Sequence, residues 1–258
     1  MILAIDIGNT NIVVGGMEGR RLVFTLRIRS DRNKTVDEYL LEFKGLLELK
    51  GVSPSQVEGG ILSSVVPELK IVIGRAMEVL TGRRFLVVGT GIRTGLNIKM
   101  DNPSQLGADL VVDAVAALAQ YRPPLVIFDM GTATTMSVLD RDGGYIGGQI
   151  IPGMRLSMDA LSARAAQLPY INLEGRVELI GTNTITCMQA GAVYSTAAML
   201  DGLIQRVEEK LEQPVTAVAT GGLMPLVLPY CRQKLHYHEN LMLEGLELLY
   251  EKNRGGRK

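Results

Sequence analysis

The residues Ile-Asp-Ile-Gly-Asn-Thr-Asn at Ile5–Asn11 carry the main indication of the fold, because a closely similar segment occurs a second time in the chain. The second copy, Phe-Asp-Met-Gly-Thr-Ala-Thr-Thr, occupies Phe128–Thr135. Each copy follows an apolar run that predicts a buried strand and enters a further segment with β propensity. The apolar runs are Ile2–Ile5 and Leu125–Phe128, and the segments that follow are Ile12–Gly16 and Thr135–Leu139. A single Asp-x-Gly turn with a threonine close behind it is a weak signal, whereas two such stretches predict a duplicated β-hairpin.

The residue types in the two copies are those that bind a polyphosphate. Turns of this kind offer backbone N–H groups and threonine hydroxyls to phosphate oxygens, and two opposed turns hold them from both sides. Asp6 and Asp129 supply carboxylates for cations. The pattern therefore predicts a phosphoryl-transfer cleft.

Composition restricts the class of protein. The chain has 258 residues, 47% of them hydrophobic, which suits one large domain or two modest ones with a substantial core. Lys+Arg and Asp+Glu both number 27, so neither nucleic acid nor an anionic membrane is an expected partner. The short basic end from Lys252 onward is expected to be solvated.

The cysteines and the N-terminus predict a cytoplasmic protein. Cys187 and Cys231 lack a CxxC partner, so we expect reduced thiols and neither a zinc site nor a disulfide framework. The N-terminal apolar stretch is interrupted at Asp6 and has no basic region before it, which argues against a signal peptide. No apolar run approaches the length that crosses a membrane.

The order of apolar patterns predicts an α/β protein whose sheets lie between helices. We place the domain boundary near residue 120, with an N-terminal domain at 1–120 and a C-terminal domain at 121–258. The predicted strands are Ile2–Ile7, Ile12–Gly16, Leu22–Arg29, Gly59–Val65, Phe85–Val88, Leu125–Leu139, Tyr145–Ile151 and Val215–Ala219. The predicted helices are Val36–Lys50, Pro67–Leu80, Leu106–Gln120, one from about Met154, Asn183–Leu211 and Leu241–Lys252.

Other phosphate-binding and metal-binding devices are absent or weak in the sequence. No GxxxxGK[ST] occurs, which excludes a P-loop. Gly89–Gly95 has one residue too many for GxGxxG and is interpreted as a flexible loop. His236 and His238 could share a strand face, but no third ligand lies nearby in sequence, so a structural or exposed role is favoured over metal binding.

Two further segments carry candidate chemistry, each with an alternative. Asp101–Leu110 turns through Pro103 and places Asp109 at the start of a helix, where Gly107 permits close approach of a ligand. The alternative is that Asp109 only interacts favourably with the helix dipole. Ala219–Leu223 contains a diglycine turn on which a flat ring could lie, or which is simply a tight strand–helix connection.

Taken in order along the chain, these motifs resemble the type III pantothenate kinases, which belong to the superfamily of actin, the sugar kinases and the heat-shock chaperones. The matching segments are residues 6–11, 94–96, 101–103, 107–109, 129–135, 147–153, 168–169, 181–184, 219–222 and 239–246. The resemblance implies two ribonuclease-H-like domains with an active-site cleft between them. It also implies a homodimer in which pantothenate binds near the partner chain.

The resemblance implies ATP-dependent phosphorylation of pantothenate to 4'-phosphopantothenate, the first step of coenzyme A biosynthesis. Asp109 would be the general base, Asp6 would bind Mg²⁺, and Asp129 would position K⁺ or NH₄⁺. The implied ATP-binding residues are Asp6, Ile7, Gly8, Asn9, Thr10, Asn11, Ile12, Val13, Thr132, Gly221 and Gly222. The implied substrate-binding residues are Met100, Gly107, Ala108, Asp109, Leu110 and Thr184.

Two positions depart from the family pattern, both on the acceptor side. Leu110 stands where the family has arginine, and Met100 stands about where it has tyrosine. The arginine would give a charge-assisted contact to the pantothenate carboxylate. Two alternatives therefore stay open: a kinase of the same fold with another small hydroxyl acceptor, and a nucleotide-binding regulatory paralogue without turnover.

Overall fold

The computed structural model describes residues 1–255, and the last residues of the basic end, 256–258, lie outside the described residues. The strands are β1 Ile2–Ile7, β2 Asn11–Glu18, β3 Arg21–Arg29, β4 Gly59–Ser64, β5 Phe85–Val87, β6 Leu125–Met130, β7 Ala133–Leu139, β8 Tyr145–Pro152, β9 Thr216–Thr220 and β10 Leu235–Tyr237. The α-helices are α1 Val36–Leu49, α2 Pro67–Thr81, α3 Ala108–Gln120, α4 Met154–Arg164, α5 Thr184–Leu211, α6 Met224–Val227 and α7 Leu241–Asn253.

The two sheets have the same connectivity. In the first, the strand order is β3-β2-β1-β4-β5, and in the second, read from its other edge, it is β8-β7-β6-β9-β10. Each sheet begins with an antiparallel hairpin pair and continues with strands parallel to the first strand of that hairpin. The predicted α/β fold with two related sheets is confirmed.

The chain forms two compact units that are not two continuous halves. Unit 1 contains Met1–Leu96, Asn102–Ala119 and the chain from Asn240 onward, and unit 2 contains Asn97–Asp101 and Gln120–Glu239. The predicted C-terminal domain included α7, but α7 packs within unit 1. Its apolar stripe of Leu243, Leu246 and Leu249 is buried in one cluster with Ile2 and Ala4 of β1.

Each unit has its own core. In unit 1, one face of the sheet packs against α1 and α2 through residues such as Ile5, Phe43 and Ile73. In unit 2, residues such as Phe128 of β6 pack against α5, including Leu200. Burying a side chain of this size completely stabilises the folded state by about 1.5–3 kcal/mol, so these clusters hold the strand ends in place.

Local capping signals fix the helix starts. Thr35 and Glu38 form a capping box at the start of α1, with the Glu38 carboxylate accepting the Thr35 backbone N–H at 2.7 Å. At the start of α5 the Asn183 side chain accepts the Thr186 backbone N–H at 3.0 Å. The predicted strands and helices are matched closely by the structure, except that the short strand β10 and the four-residue helix α6 were not predicted.

Candidate functional site

The duplicated hairpins place two aspartates at equivalent positions. Asp6 is the fifth residue of β1 and Asp129 is the fifth residue of β6, and the two six-residue strands share one burial pattern, with only these carboxylates half-exposed. Asp6 pairs across the hairpin with Val13, and Asp129 pairs with Thr135. The side chains that alternate with the aspartates enter the cores, so both carboxylates lie on the opposite face of their sheets.

Polar contacts from the chain after β3 support the turn of the first hairpin. The Gly8 N–H donates to the Asn11 carbonyl at 3.0 Å and closes the turn. The Ser30 hydroxyl donates to the Gly8 carbonyl at 2.6 Å, and the Ser30 N–H donates to the Thr10 carbonyl at 2.9 Å. Arg32 donates to the Asn9 side chain at 3.1 Å, so two residues outside this turn fix it with three hydrogen bonds.

The turn of the second hairpin is shorter and is supported by close backbone packing. Gly131 N–H donates to the Ala133 carbonyl at 3.0 Å. Gly153, the N-cap of α4, lies against this turn: a Cβ atom there would collide with the Thr132 carbonyl and stand 2.9 Å from the Gly131 oxygen. Only a glycine allows this approach, so α4 begins directly against the turn.

Gly221 closes the other side of the second turn. It follows β9, has φ +95°, and a Cβ atom there would stand 2.6 Å from the backbone of Met130. The structure thus brings Asp129, Thr132 and Gly221 to one end of the unit 2 sheet. The tight strand–helix connection is confirmed, since the Met224 N–H donates to the Gly221 carbonyl at 3.2 Å, and Gly222 is exposed.

Asp109 lies in the first turn of α3 and is half-buried. One carboxylate oxygen, Oδ1, accepts the backbone N–H of Leu110 at 2.9 Å. The carboxylate also folds back over Gly107, where a Cβ atom would collide with Oδ1. Gly107 is therefore required for this carboxylate position. The hydrogen bond from the Leu110 N–H agrees with the alternative interpretation, in which Asp109 only interacts with the start of the helix. This bond uses one of the two carboxylate oxygens of Asp109.

Thr184 begins α5 at the mouth of a cavity of about 930 Å³ in unit 2. The cavity also contains Thr134 of β7 and the α4 residues Met154 and Met158. Cys187, one turn after Thr184, lines the same cavity and is exposed. This cavity reaches from the start of α5 to the second hairpin.

The segment that carries Met100 is bound to the second sheet. The Lys99 N–H donates to the Tyr145 carbonyl, and the Tyr145 N–H donates to the Asn97 carbonyl, both at 2.8 Å. The Lys99 ammonium pairs with Asp140 at 2.5 Å. Desolvation raises the pKa of Asp140, but hydrogen bonds from Lys99 and from the Gly144 and Asp142 N–H groups outweigh it and leave the pKa lowered.

The remaining sequence interpretations concern loops, histidines and cysteines. Gly89–Gly95 forms a loop and does not open a helix, as expected. His236 contacts the Tyr121 ring, with centroids 5.3 Å apart, and His238 Nε2 lies 2.8 Å from Gln120 Oε1. Both cysteines are free thiols, and burial and then the Asp201 charge raise the pKa of Cys231 to about 11.

The described residues hold neither a metal-binding cluster of side chains nor a membrane-spanning helix. From Met1 to residue 255, no group of three or more His, Cys, Asp or Glu side chains is arranged to hold a metal ion. Over the same range, no helix is long and apolar enough to cross a bilayer.

Sequence reasoning missed the residues that support the turns. Ser30 and Arg32 follow β3 in a polar run that gives no signal of its role. Gly153 lies in the segment 147–153 that resembles the family pattern, but its packing against Thr132 follows only from the fold.

Comparison with known proteins identifies a family for this chain. The family described as Type III pantothenate kinase matches residues 2–206 of the chain. A Type III pantothenate kinase from Exiguobacterium sp. is 46% identical over 253 residues, which cover 98% of this chain and 99% of that relative.

Two solved structures share the fold. A Campylobacter jejuni protein described as a candidate Baf family transcriptional activator superposes with a TM-score of 0.62 at 18% identity, covering 98% of this chain and 100% of that one. The ROK hexokinase of Thermus thermophilus superposes with a TM-score of 0.54 at 15% identity, covering 99% of each chain. At these identities the likeness concerns the fold alone.

Proposed function

This chain belongs to the type III pantothenate kinase family, and from that premise we propose that it transfers the γ-phosphoryl group of ATP to the hydroxyl of pantothenate. The observation that carries the proposal is the duplicated hairpin, with a half-exposed aspartate at the same position of each first strand. The product is 4'-phosphopantothenate, and the reaction begins coenzyme A biosynthesis in the cytoplasm.

The proposal assigns the ATP phosphates to the turn residues Asp6–Val13 and to Thr132. Gly221 and Gly222 are assigned to the nucleotide base, because an exposed glycine backbone accepts a flat ring. The Asp6 carboxylate fits Mg²⁺, since that ion is usually bound by one or two carboxylates and by substrate phosphates and keeps several waters. When bound, Mg²⁺ would offset phosphate charge.

Asp109 is assigned as the general base. Its Oδ1 accepts the Leu110 N–H, which orients the carboxylate and leaves Oδ2 to accept the proton of the acceptor hydroxyl. The hydroxyl oxygen then attacks the γ-phosphorus in line with the departing ADP oxygen. Because the transition state is loose, alignment and charge stabilisation supply most of the rate, and the base contributes about 10²–10⁴-fold.

Asp129 is assigned to a monovalent cation, K⁺ or NH₄⁺. Its position at the end of β6 repeats that of Asp6, but the surrounding residues differ, with Thr135 where the first hairpin has Val13. A hydroxyl-rich strand end suits a weakly hydrated monovalent ion, which takes neutral oxygen ligands as readily as carboxylates. The test is the ratio of rates in K⁺, NH₄⁺ and Na⁺.

The acceptor is assigned to Thr184, to Met100 and to the helix start at 107–110. Thr184 lines the unit 2 cavity, whose apolar wall suits the dimethyl part of pantothenate. Leu110 favours a second candidate function, a kinase of the same fold acting on another small hydroxyl compound, because no arginine follows Asp109 to pair with a carboxylate. The proposal keeps pantothenate because the family match spans these residues.

We assign a homodimer to the exposed apolar side chains around α4 and α5. Leu156 and Leu161 of α4 and Ile185 of α5 are about half-exposed, and Ile180 is 80% exposed. Exposed large apolar side chains are frequent at interfaces between proteins. Sedimentation equilibrium at micromolar concentration should give twice the chain mass of 28.0 kDa, and a species of single-chain mass alone would contradict the assignment.

The function is tested by coupled measurement of ADP release. With Mg²⁺·ATP and K⁺, we expect release to depend on added pantothenate and to stop when pantothenate is omitted. Mass spectrometry of the product should show one added phosphoryl group. Release with other small hydroxyl compounds but not with pantothenate would favour the second candidate, and ATP binding without any release would leave a nucleotide-binding protein.

A further inference from the structure

Each aspartate at a hairpin end has a buried hydroxyl residue as its neighbour on the adjoining parallel strand. In unit 1, Asp6 of β1 is paired in register with Ser63 of β4. In unit 2, Asp129 of β6 is paired in register with Thr220 of β9. The second sheet therefore repeats the carboxylate–hydroxyl pair of the first.

The geometry of parallel strands puts each hydroxyl on the same face as its aspartate. Paired residues on neighbouring strands lie about 4.8 Å apart, and their side chains point to the same side of the sheet. The residues that precede the two hydroxyl residues confirm the face. Leu62 and Ala219 point into the cores, on the sheet faces away from Asp6 and Asp129 respectively. Both hydroxyls consequently stand beside the carboxylates that the proposed function assigns to cations.

Ser63 has an unused hydrogen-bonding group. It is 0% exposed, and within residues 1–255 its hydroxyl oxygen has no hydrogen-bond partner. Thr220 is also buried, at 5% exposure. A buried hydroxyl without a partner is costly, and apolar residues fill most neighbouring positions of these strands. An alanine would fill the Ser63 position without that cost.

We propose that Ser63 and Thr220 are positioning residues, each hydrogen-bonding to its neighbouring aspartate when the nucleotide and cations are bound. Carboxylates that bind cations are themselves oriented by hydrogen bonds from a surrounding shell of polar groups. The Ser63 hydroxyl orients the Asp6 carboxylate toward Mg²⁺, and the Thr220 hydroxyl orients Asp129 toward the monovalent cation. The inference rests on the proposed function, since that function assigns the two cations.

The first arm of the test measures nucleotide binding without turnover. Isothermal titration with Mg²⁺·ADP should show that Ser63→Ala binds roughly tenfold or more weakly than wild type, the loss expected for a hydrogen bond to a charged group. With EDTA in place of Mg²⁺, ADP should bind both proteins equally. Ser63→Thr, which introduces the residue found at the equivalent position of unit 2, should restore most of the Mg²⁺-dependent affinity.

The second arm separates this role from a purely structural one. Among residues 1–255 the Ser63 hydroxyl has no hydrogen-bond partner, so Ser63→Ala should leave the Tm measured without nucleotide unchanged or raised. Ser137→Ala is the matched control. Ser137 is a buried serine of β7 whose hydroxyl lies 2.9 Å from the Tyr145 hydroxyl. Its removal should lower the Tm and leave Mg²⁺·ADP affinity unchanged.

The third arm concerns unit 2. In wild type, we expect K⁺ to strengthen Mg²⁺·ADP binding more than Na⁺ does. Thr220→Val keeps the shape of the side chain but removes the hydroxyl, so the difference between the two salts should disappear, and Thr220→Ser should retain it.

The outcomes distinguish this inference from the proposed function. If wild type binds Mg²⁺·ADP and releases ADP with pantothenate, while Ser63→Ala binds Mg²⁺·ADP equally well, only the positioning role is overturned. A fall in the Tm of nucleotide-free Ser63→Ala with unchanged affinity also overturns it. If wild type binds no Mg²⁺·ADP, both the function and this inference fail.

Discussion

The turns of the two hairpins are built from one sequence pattern but are supported in different ways. The turn after β1 is supported by hydrogen bonds from Ser30 and Arg32, whereas the turn after β6 packs against Gly153 and Gly221. The strand pairing and the position of the aspartate are the same in both. The comparison teaches that strand geometry fixes the carboxylate, while each turn has been supported separately.

The outer strands β3 and β8, which flank the two hairpins, differ in the side chains that they expose. Across the first sheet, the residue of the outer strand β3 in register with Asp6 is Arg27. Across the second sheet, the residue of the outer strand β8 in register with Asp129 is Ile150. Both side chains are exposed. A charged side chain discourages pairing of an edge strand with another chain, whereas an exposed isoleucine favours association. The difference agrees with a dimer interface assigned to unit 2.

The largest expected effect on kcat comes from substituting Asp109. This residue has no counterpart in the hairpins. Asp109→Asn should reduce kcat by about 10²–10⁴-fold, because the amide does not accept the proton of the acceptor hydroxyl. ATP affinity, measured by titration calorimetry, should stay within a few-fold of wild type. A variant with nearly normal turnover would remove the general-base assignment.

The two hairpin aspartates should then give different phenotypes in spite of their equivalent positions. Asp6→Asn should weaken the response to Mg²⁺ and lower the rate by about 10²-fold, because a metal ion contributes several kcal/mol of charge stabilisation. Asp129→Asn should instead lose the stimulation by K⁺ or NH₄⁺ over Na⁺.

The measurement for both variants is the initial rate across a titration of each cation. A wild-type rate that is the same in all three monovalent salts would contradict the role of Asp129. Identical responses of the two variants to Mg²⁺ would contradict the division of roles between the hairpins.

A smaller effect is expected at Leu110, on the acceptor side. A guanidinium hydrogen-bonded to a carboxylate contributes about 1.5–3 kcal/mol, so Leu110→Arg should lower the KM for pantothenate by roughly 10–100-fold. The KM for ATP should be unchanged.

An unchanged pantothenate KM in the Leu110→Arg variant would indicate that another basic residue, such as Arg155 or Arg164, already binds the carboxylate. A variant in which Leu110, Arg155 and Arg164 are all substituted tests whether these two arginines bind the carboxylate. If neither wild type nor Leu110→Arg releases ADP with pantothenate, the acceptor assignment is wrong.

The two glycines that pack against the second turn, Gly153 and Gly221, can be substituted one at a time. Gly153→Ala and Gly221→Ala should each destabilise the protein by about 1–3 kcal/mol, because the added methyl meets backbone atoms that have no room to move. Denaturant unfolding measures the change. Gly45→Ala is the control: it lies in α1 with nothing near a Cβ atom, and should stabilise by about 0.5–1 kcal/mol.

The smallest effect is a pH dependence specific to unit 2. The pKa of Asp140 is lowered in the folded protein, so its carboxylate stabilises the fold above its ordinary pKa, and this is lost as the pH falls through the lowered value. Asp140→Asn should therefore cost under about 1 kcal/mol near neutral pH, and the difference from wild type should shrink below pH ~4. Urea unfolding at pH 7 and pH 3 measures this, and a constant difference would contradict it.

The duplicated strands and the positions of Asp6 and Asp129 could be predicted from the amino-acid sequence. These follow from local patterns, because a short apolar run predicts a strand buried on both faces, and the aspartate is the polar residue that interrupts it. The start of α5 was also determined locally, since Asn183 and Thr186 cap it. Asp109 could be placed at the start of α3 because an acidic residue is favoured in the first turn of a helix.

The distant residues that contact these local elements could not be predicted from the sequence and follow from the folded arrangement. The packing of α7 with β1, the contact of Gly153 with Thr132, and the pairing of Ser63 with Asp6 each join segments far apart in the chain. No local pattern encodes such contacts, because they depend on strand order and on how closely two backbones approach. The sequence thus predicted which groups are available for chemistry, and the fold decided which groups support them.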